Sequence, residues 1–212
     1  LLFSKMAFSF NGVNSFKRSR LIPMNLKKTY ESEFITKEEI ERYGNSFGIK
    51  FNTTVSGPFI TIDAFTEEFM NDRIGTLTAF VRPIPSGVLH LDTLQVKNRR
   101  QWLGYKRKGW TIEGRGISFI LGILALNYGI SKGCTRAELL AVKDDPKMHS
   151  ILLRLYGSMG YKVVREVGDD LASIPDRLVW GAVGTLLSLD IKPYYKIGSR
   201  EIREALETAD DT

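Results

Sequence analysis

A chain of 212 residues, 43% hydrophobic and 11% aromatic, is long enough to bury one sizeable core, which points to a single domain with tails. Its 30 basic and 24 acidic residues give a net charge of +6 and a pI near 9.4, a balance that draws anionic partners such as phosphorylated cofactors, nucleic acid or a charged membrane surface. One cysteine, Cys134, and two histidines, His90 and His149, exclude an internal disulfide and argue against a metal site, and no apolar run approaches the roughly 20 residues of a membrane-spanning helix.

Residues 1–34 read as a basic tail. Its first 30 positions carry six Lys or Arg, four Ser and no acid; an organelle transit segment or its remnant has that composition, and so has a plain basic tail. The expected location is accordingly organellar, in a plastid or chloroplast, or cytoplasmic. "TKEE" sets Thr36 three residues before Glu39, a capping box, and Ile40 and Tyr43 follow at helical spacing, so a first helix starts here and ends near Gly44 to Gly48. "GPFITIDAF" (57–65) and "RIGTLTAFVRP" (73–83) are apolar and β-branched, separated by the acidic "TEEFMND", and predict an antiparallel pair of strands. "VLHLDTLQV" (88–96) predicts another, with Leu89 and Leu91 on one face and His90 and Asp92 on the other.

"ISFILGILALNYGISKG" (117–133) is apolar nearly all round and closes on Lys132 and Gly133, a buried helix. "TRAELLAV" (135–142) reads as a buried strand. "DDPKMHSILLRLYGSMGY" (144–161), with Pro146 at its start and Gly160 as its stop, predicts an amphipathic helix. "KVVREV" (162–167) and "RLVWGAV" (177–183) read as closing strands, and Ser199 caps a short C-terminal helix. This order predicts an α/β (α+β) fold, a mixed sheet flanked by helices with a βαβ unit across 88–142. The domain spans 35–190 and a helical tail follows over 191–212.

The βαβ unit followed by "DDPKMHSILLRLYGSMGYKVV" resembles the GNAT superfamily of acyl-CoA-dependent N-acyltransferases, over roughly residues 35 to 183. That family has a mostly antiparallel sheet and a late helix ending in Leu-Tyr-x-x-x-Gly-Phe/Tyr, matched by Leu155, Tyr156, Gly160 and Tyr161. Where the family often has an Asn seven residues before that Tyr, touching CoA, this chain has His149. The family's phosphate-binding turn, Gln/Arg-x-x-Gly-x-Gly/Ala, has two placements. Gln101 to Lys106 follows the strand at the usual distance, whereas Glu113 to Ser118 lies at the start of the buried helix. The second is preferred, because glycines at a helix N-terminus let backbone N–H groups approach a pyrophosphate that the helix dipole attracts. It leaves Glu113 in place of Gln or Arg, Ser118 in place of the last small residue, and a basic insertion before it. The resemblance thus implies acetyl-CoA as acyl donor, held by Leu94, Val96, Gly114, Arg115, Gly116, Ile117, Ser118 and His149.

Acyl transfer from a thioester to an amine needs a neutral amine, a stabilised oxyanion and a proton for the leaving thiolate. The resemblance implies that a backbone N–H of the central strand serves the carbonyl and that Tyr156 protonates the sulfur; the plainer reading of Tyr156 is a core tyrosine. His90, with Asp92 on the same face, stands where some members carry a Glu base, and an imidazole with a pKa of about 6.5 accepts an ammonium proton near neutral pH. The plainer reading is a satisfied strand histidine. The expected function is N-acetylation of an amine, whether a protein lysine, a protein N-terminus or a small molecule. Two alternatives stand beside it: an inactive GNAT-fold subunit of a protein complex, and a nucleic-acid-associated protein whose Trp102, Tyr105 and Trp110 interleave the basic charges of 97–115 as stacking platforms.

Overall fold

A computed structural model describes residues 33–67, 73–84, 86–96, 116–170 and 173–210. The readings made on the basic tail before residue 33 and on the loop 97–115, including Gly114 and Arg115, lie outside the described residues.

Helix α1 (Lys37–Asn45) begins at the expected capping box: Thr36 Oγ1 accepts from the Glu39 backbone N–H, and the Glu39 carboxylate accepts from the Thr36 backbone N–H. Strands β1 (Ile49–Ser56), β2 (Phe59–Thr66), β3 (Arg73–Arg82) and β4 (Val88–Val96) then form an antiparallel meander. β1 was not foreseen. Only Ile49 of its eight residues is fully buried, so the strand lacks the apolar content that flags its neighbours.

Helix α2 (Gly116–Ser131) carries the chain across to β5 (Arg136–Val142), parallel to β4. Helix α3 (Pro146–Ser158) is capped by Asp145 and leads to β6 (Lys162–Val167). Residues 177–183, expected as a strand, belong largely to a short helix, α4 (Ile174–Trp180), and the last strand is β7 (Gly184–Asp190). Pro175 in the first turn and Gly181 in the left-handed region at φ 70° bracket that helix, and these terminal signals override the β-branched and aromatic composition between them. The C-terminal helix α5 (Ile191–Asp210) starts eight residues before the predicted cap Ser199.

The seven strands lie in the order β1-β2-β3-β4-β5-β7-β6, antiparallel everywhere except between β4 and β5. One face carries the main core, where Ile62, Leu77, Leu89 and Leu139 meet the apolar α2 together with Tyr195 and Ile202 of α5. Burying each such side chain contributes roughly 1.5–3 kcal/mol. α5 also holds the chain entering α1, since Ser199 Oγ accepts from the Ile35 N–H and Tyr195 Oη donates to the Ile35 carbonyl. The opposite face has a small cluster of Leu140, Val167, Trp180 and Leu186 under α4. No helix among the described residues is long and apolar enough to cross a membrane.

Candidate active site at the split sheet

β4 and β5 pair over only three positions, Val88 with Arg136, Leu89 with Ala137 and His90 with Glu138. Beyond them the sheet opens. Within β4 the register slips by one residue: Thr78 pairs with Thr93 and Ala79 with Leu91, leaving Asp92 as the extra residue of a β-bulge. The bulge changes the alternation, so that Leu91 and Leu94, three apart in sequence, both face the core.

The split encloses an apolar cavity of about 50 Å³, lined by Leu91 and Leu94 of β4, Leu139 of β5, Ser118 and Phe119 of α2, and Tyr156 of α3. Met159, Tyr161 and Tyr194 complete its wall. Tyr156 is 3% exposed, and burial pushes its phenol well above the ordinary range. Tyr161, edge-on to it at 5.6 Å between ring centroids, is raised for the same reason. Both remain neutral phenols, able to donate a hydrogen bond. A second cleft, of about 170 Å³, lies on the other flank of α2 between Thr53, Ile62 and Asn127, away from the split.

The predicted donor-site residues fall into groups. Leu94 and Ser118 line the cavity beside Tyr156. Val96 ends β4 opposite Gly75 and packs against the core. Gly116, at φ 53° and with no heavy atom of the described residues within 4 Å of where a Cβ would stand, starts α2. Ile117 is buried, so only its backbone can serve a ligand. His149 is turned to the sheet: its Nδ1–H donates to the Val142 carbonyl at 3.2 Å, and its Nε2 lies 3.1 Å from Thr185 Oγ1, which donates to Glu166. Both ring nitrogens thus face polar atoms of the protein.

His90 and Asp92 lie on the opposite face from the cavity. His90 is 1% exposed and sandwiched between Phe80 and Trp180, with ring centroids at 4.3 and 3.8 Å. Its Nδ1 is buried without a hydrogen-bond partner among the described residues. Burial, with the Arg82 guanidinium as a lesser cause, holds its pKa down to about 3. Asp92 is exposed in the bulge and accepts from the hydroxyls of Thr78 and Thr93, each at 3.1 Å. Arg82 and Glu138 form a largely buried ion pair at 2.9 Å on this face. Trp180 and Glu138 went unnoticed in the sequence. Trp180 stood in a segment with the wrong secondary structure, and Glu138 in a strand that otherwise reads as apolar. Among the described residues no group of His, Cys, Asp or Glu is placed to hold a metal ion.

The seven-stranded order, the single parallel junction that splits, and the α2 crossover beside it decide the architecture. This is the architecture that the resemblance to the GNAT superfamily leads one to expect. Solved structures similar to this chain include nourseothricin acetyltransferase, at 12% identity over 68% of this chain and 85% of that one with a TM-score of 0.44. A variant of spermidine N-acetyltransferase SpeG from Vibrio cholerae is 11% identical over 66% and 68%, TM-score 0.43. A chain of the NatC complex bound to Gag peptide and CoA is 18% identical over 61% and 70%, TM-score 0.41. No family model and no curated protein matches the sequence. In GNAT terms, α2 is the helix after the splitting strand and α3 the helix that bears the Leu-Tyr-x-x-x-Gly-Tyr ending.

Proposed function

We propose that the chain is an N-acyltransferase that takes an acetyl group from acetyl-CoA and delivers it to an amine. One observation carries the reading: an apolar cavity at the split between parallel strands, walled by the neutral phenol of Tyr156 and by Ser118 in the first turn of the glycine-started α2. The residues fit such a donor in kind. The glycine backbone at Gly116 and the positive end of α2 suit phosphates, and the apolar lining suits a thioester. In size the cavity suits a short acyl group, since it holds about 50 Å³ where by the same measure a water needs about 10–15 Å³.

Bound there, the donor supplies an acyl carbonyl open to attack and a sulfur able to leave. The protein supplies placement and hydrogen-bond donors. Leu91, Leu94 and Leu139 give the cavity an apolar wall, so a bound donor that displaces its water would strengthen every polar contact inside it. Backbone N–H groups of β4 beyond the ladder's end are the donors for a developing oxyanion. Tyr156 donates to the sulfur. Because burial opposes a phenolate, it acts by a held hydrogen bond rather than by outright surrender of its proton, and the amine's own proton restores the thiol. Tyr156→Phe should lower kcat about 10²-fold while changing KM little; unchanged turnover would remove the assignment. Isothermal titration with acetyl-CoA tests the whole reading, with absence of heat at several hundred micromolar as the adverse result.

A second reading, a GNAT-fold protein that binds partners without acyl transfer, is favoured by the sealed His90 and the small cavity. Donor binding without turnover on any amine would select it.

A further inference from the structure

Helix α2 carries a glycine that neither its backbone nor its packing explains. Gly122 stands between the buried Leu121 and Ile123 in the helix interior, and its φ lies outside the left-handed region. A glycine at such a position weakens a helix relative to alanine. Other glycines of the fold lack a side chain for want of space: a Cβ would stand 3.1 Å from Leu121 Cδ1 at Gly75, 3.1 Å from Leu89 Cδ2 at Gly129 and 2.5 Å from Ile123 Cδ1 at Gly198. At Gly122 it would meet no heavy atom of the described residues within 4 Å. A Cβ at Gly157 would meet none either, but Gly157 lies on the exposed side of α3, whereas Gly122 lines the cavity at the split.

Ser118, Gly122 and Leu126 follow one another at four-residue intervals on one face of α2, and all three line the cavity. The cavity therefore runs along that face for about 12 Å, eight residues at about 1.5 Å each. Its two ends differ. Ser118 lies in the first turn, beside Gly116 and the positive end of the helix. The far end is set by α5, which lies antiparallel to α2: Tyr195 Oη accepts from Asn127 Nδ2 at 2.7 Å, and Gly198 stands against Ile123 and Phe119. Tyr194, the neighbour of Tyr195, thus joins the cavity wall at the level of Leu126. α5 begins at Ile191, beyond the stretch that resembles the GNAT superfamily. Between the two ends Gly122 is the one wall residue without a side chain, and in a space of about 50 Å³ a single methyl group takes up a large share.

We propose that Gly122 is a specificity-determining residue of the donor site: the room left by its missing side chain seats the acyl group, and Leu126 and Tyr194 close that room, so that the chain takes thioesters of short acyl groups. This rests on the acyltransferase reading. Helix stability is given up at Gly122 for space, a trade that occurs where function needs the space and packing does not.

The test compares the full chain with its Gly122→Ala and Tyr194→Ala variants by thermal unfolding and by isothermal titration with CoA, acetyl-CoA and butyryl-CoA. Gly122→Ala should raise the melting temperature of the unliganded chain, because alanine is the better helix former and its methyl group enters empty space. The same variant should bind acetyl-CoA about threefold and butyryl-CoA more than tenfold less tightly, with CoA, which carries no acyl group, losing less than either. Tyr194→Ala, which lengthens the room, should shift the preference towards butyryl-CoA by about tenfold. A lowered melting temperature for Gly122→Ala would show that packing requires the glycine, and it overturns the inference. So does an equal loss of all three ligands, which places the reactive end of the donor elsewhere while leaving the acyltransferase reading intact. If acetyl-CoA does not bind the unaltered chain, that reading falls and the acyl assignment falls with it.

Discussion

His90 shows how a residue's neighbours decide its chemistry. An imidazole between Phe80 and Trp180 has no water to stabilise its charged form, and its pKa falls to about 3. In the unfolded chain the same group titrates at its ordinary value of 6.5. Between those values the unfolded state binds a proton that the folded state refuses, so this residue's contribution is complete above 6.5 and is lost as pH falls towards 3. The slope it adds reaches about 1.4 kcal/mol per pH unit. His90→Phe, which keeps a ring in the stack, should flatten the pH dependence of stability by about that slope between pH 4 and 6, as measured by urea unfolding at each pH. None of this was legible in the sequence. Residue type and strand alternation place His90 on the correct face, but Trp180, the ring that seals it, stands 90 positions away and on an element whose type the composition misstates. Tyr156 was legible, because its motif fixes it on a helix one turn before a stop.

Among the elements, α1, α2 and α3 were readable because their ends carry chemistry: a capping box, a closing Gly133, and Pro146 at the start with Gly160 as the stop. β1 and α4 were not, since an edge strand with one fully buried residue and a helix of valine, leucine and tryptophan both contradict their local propensities, and tertiary contacts override them. α5 approaches α2 most tightly at a glycine. A Cβ at Gly198 would stand 2.5 Å from Ile123 Cδ1, so Gly198→Val should force the helices apart and cost about 1–3 kcal/mol, measured as a lowered urea midpoint. The β4 bulge allows a complementary test. Removing Asp92 rejoins Leu91 to Thr93 opposite Ala79 and Thr78 and leaves Leu94 and Val96 facing inward. The deletion variant should therefore fold with nearly native stability by thermal unfolding, yet lose the proposed acetyl transfer, because the bulge at the split is gone.

For the whole molecule, the three-pair junction of β4 with β5 means that the sheet is two half-sheets, β1 to β4 and β5 to β7, meeting at a short seam. The covalent crossing between them enters α2, which belongs by chain order to the second half and packs over β2, β3 and β4 of the first. Neither half can bury its own apolar face. The molecule is therefore suited to fragment complementation. A chain cut between Val96 and Gly116 should yield two pieces that are each poorly ordered alone but reassemble when mixed, recovering near-ultraviolet circular dichroism in a concentration-dependent way. Two fragments that fold separately, or that never combine, would contradict this. Read as an assembly of two pieces, the site is where they meet: Leu77, Leu91 and Leu94 of its wall come from one piece, and the rest, Ser118, Leu139 and Tyr156 among them, from its complement.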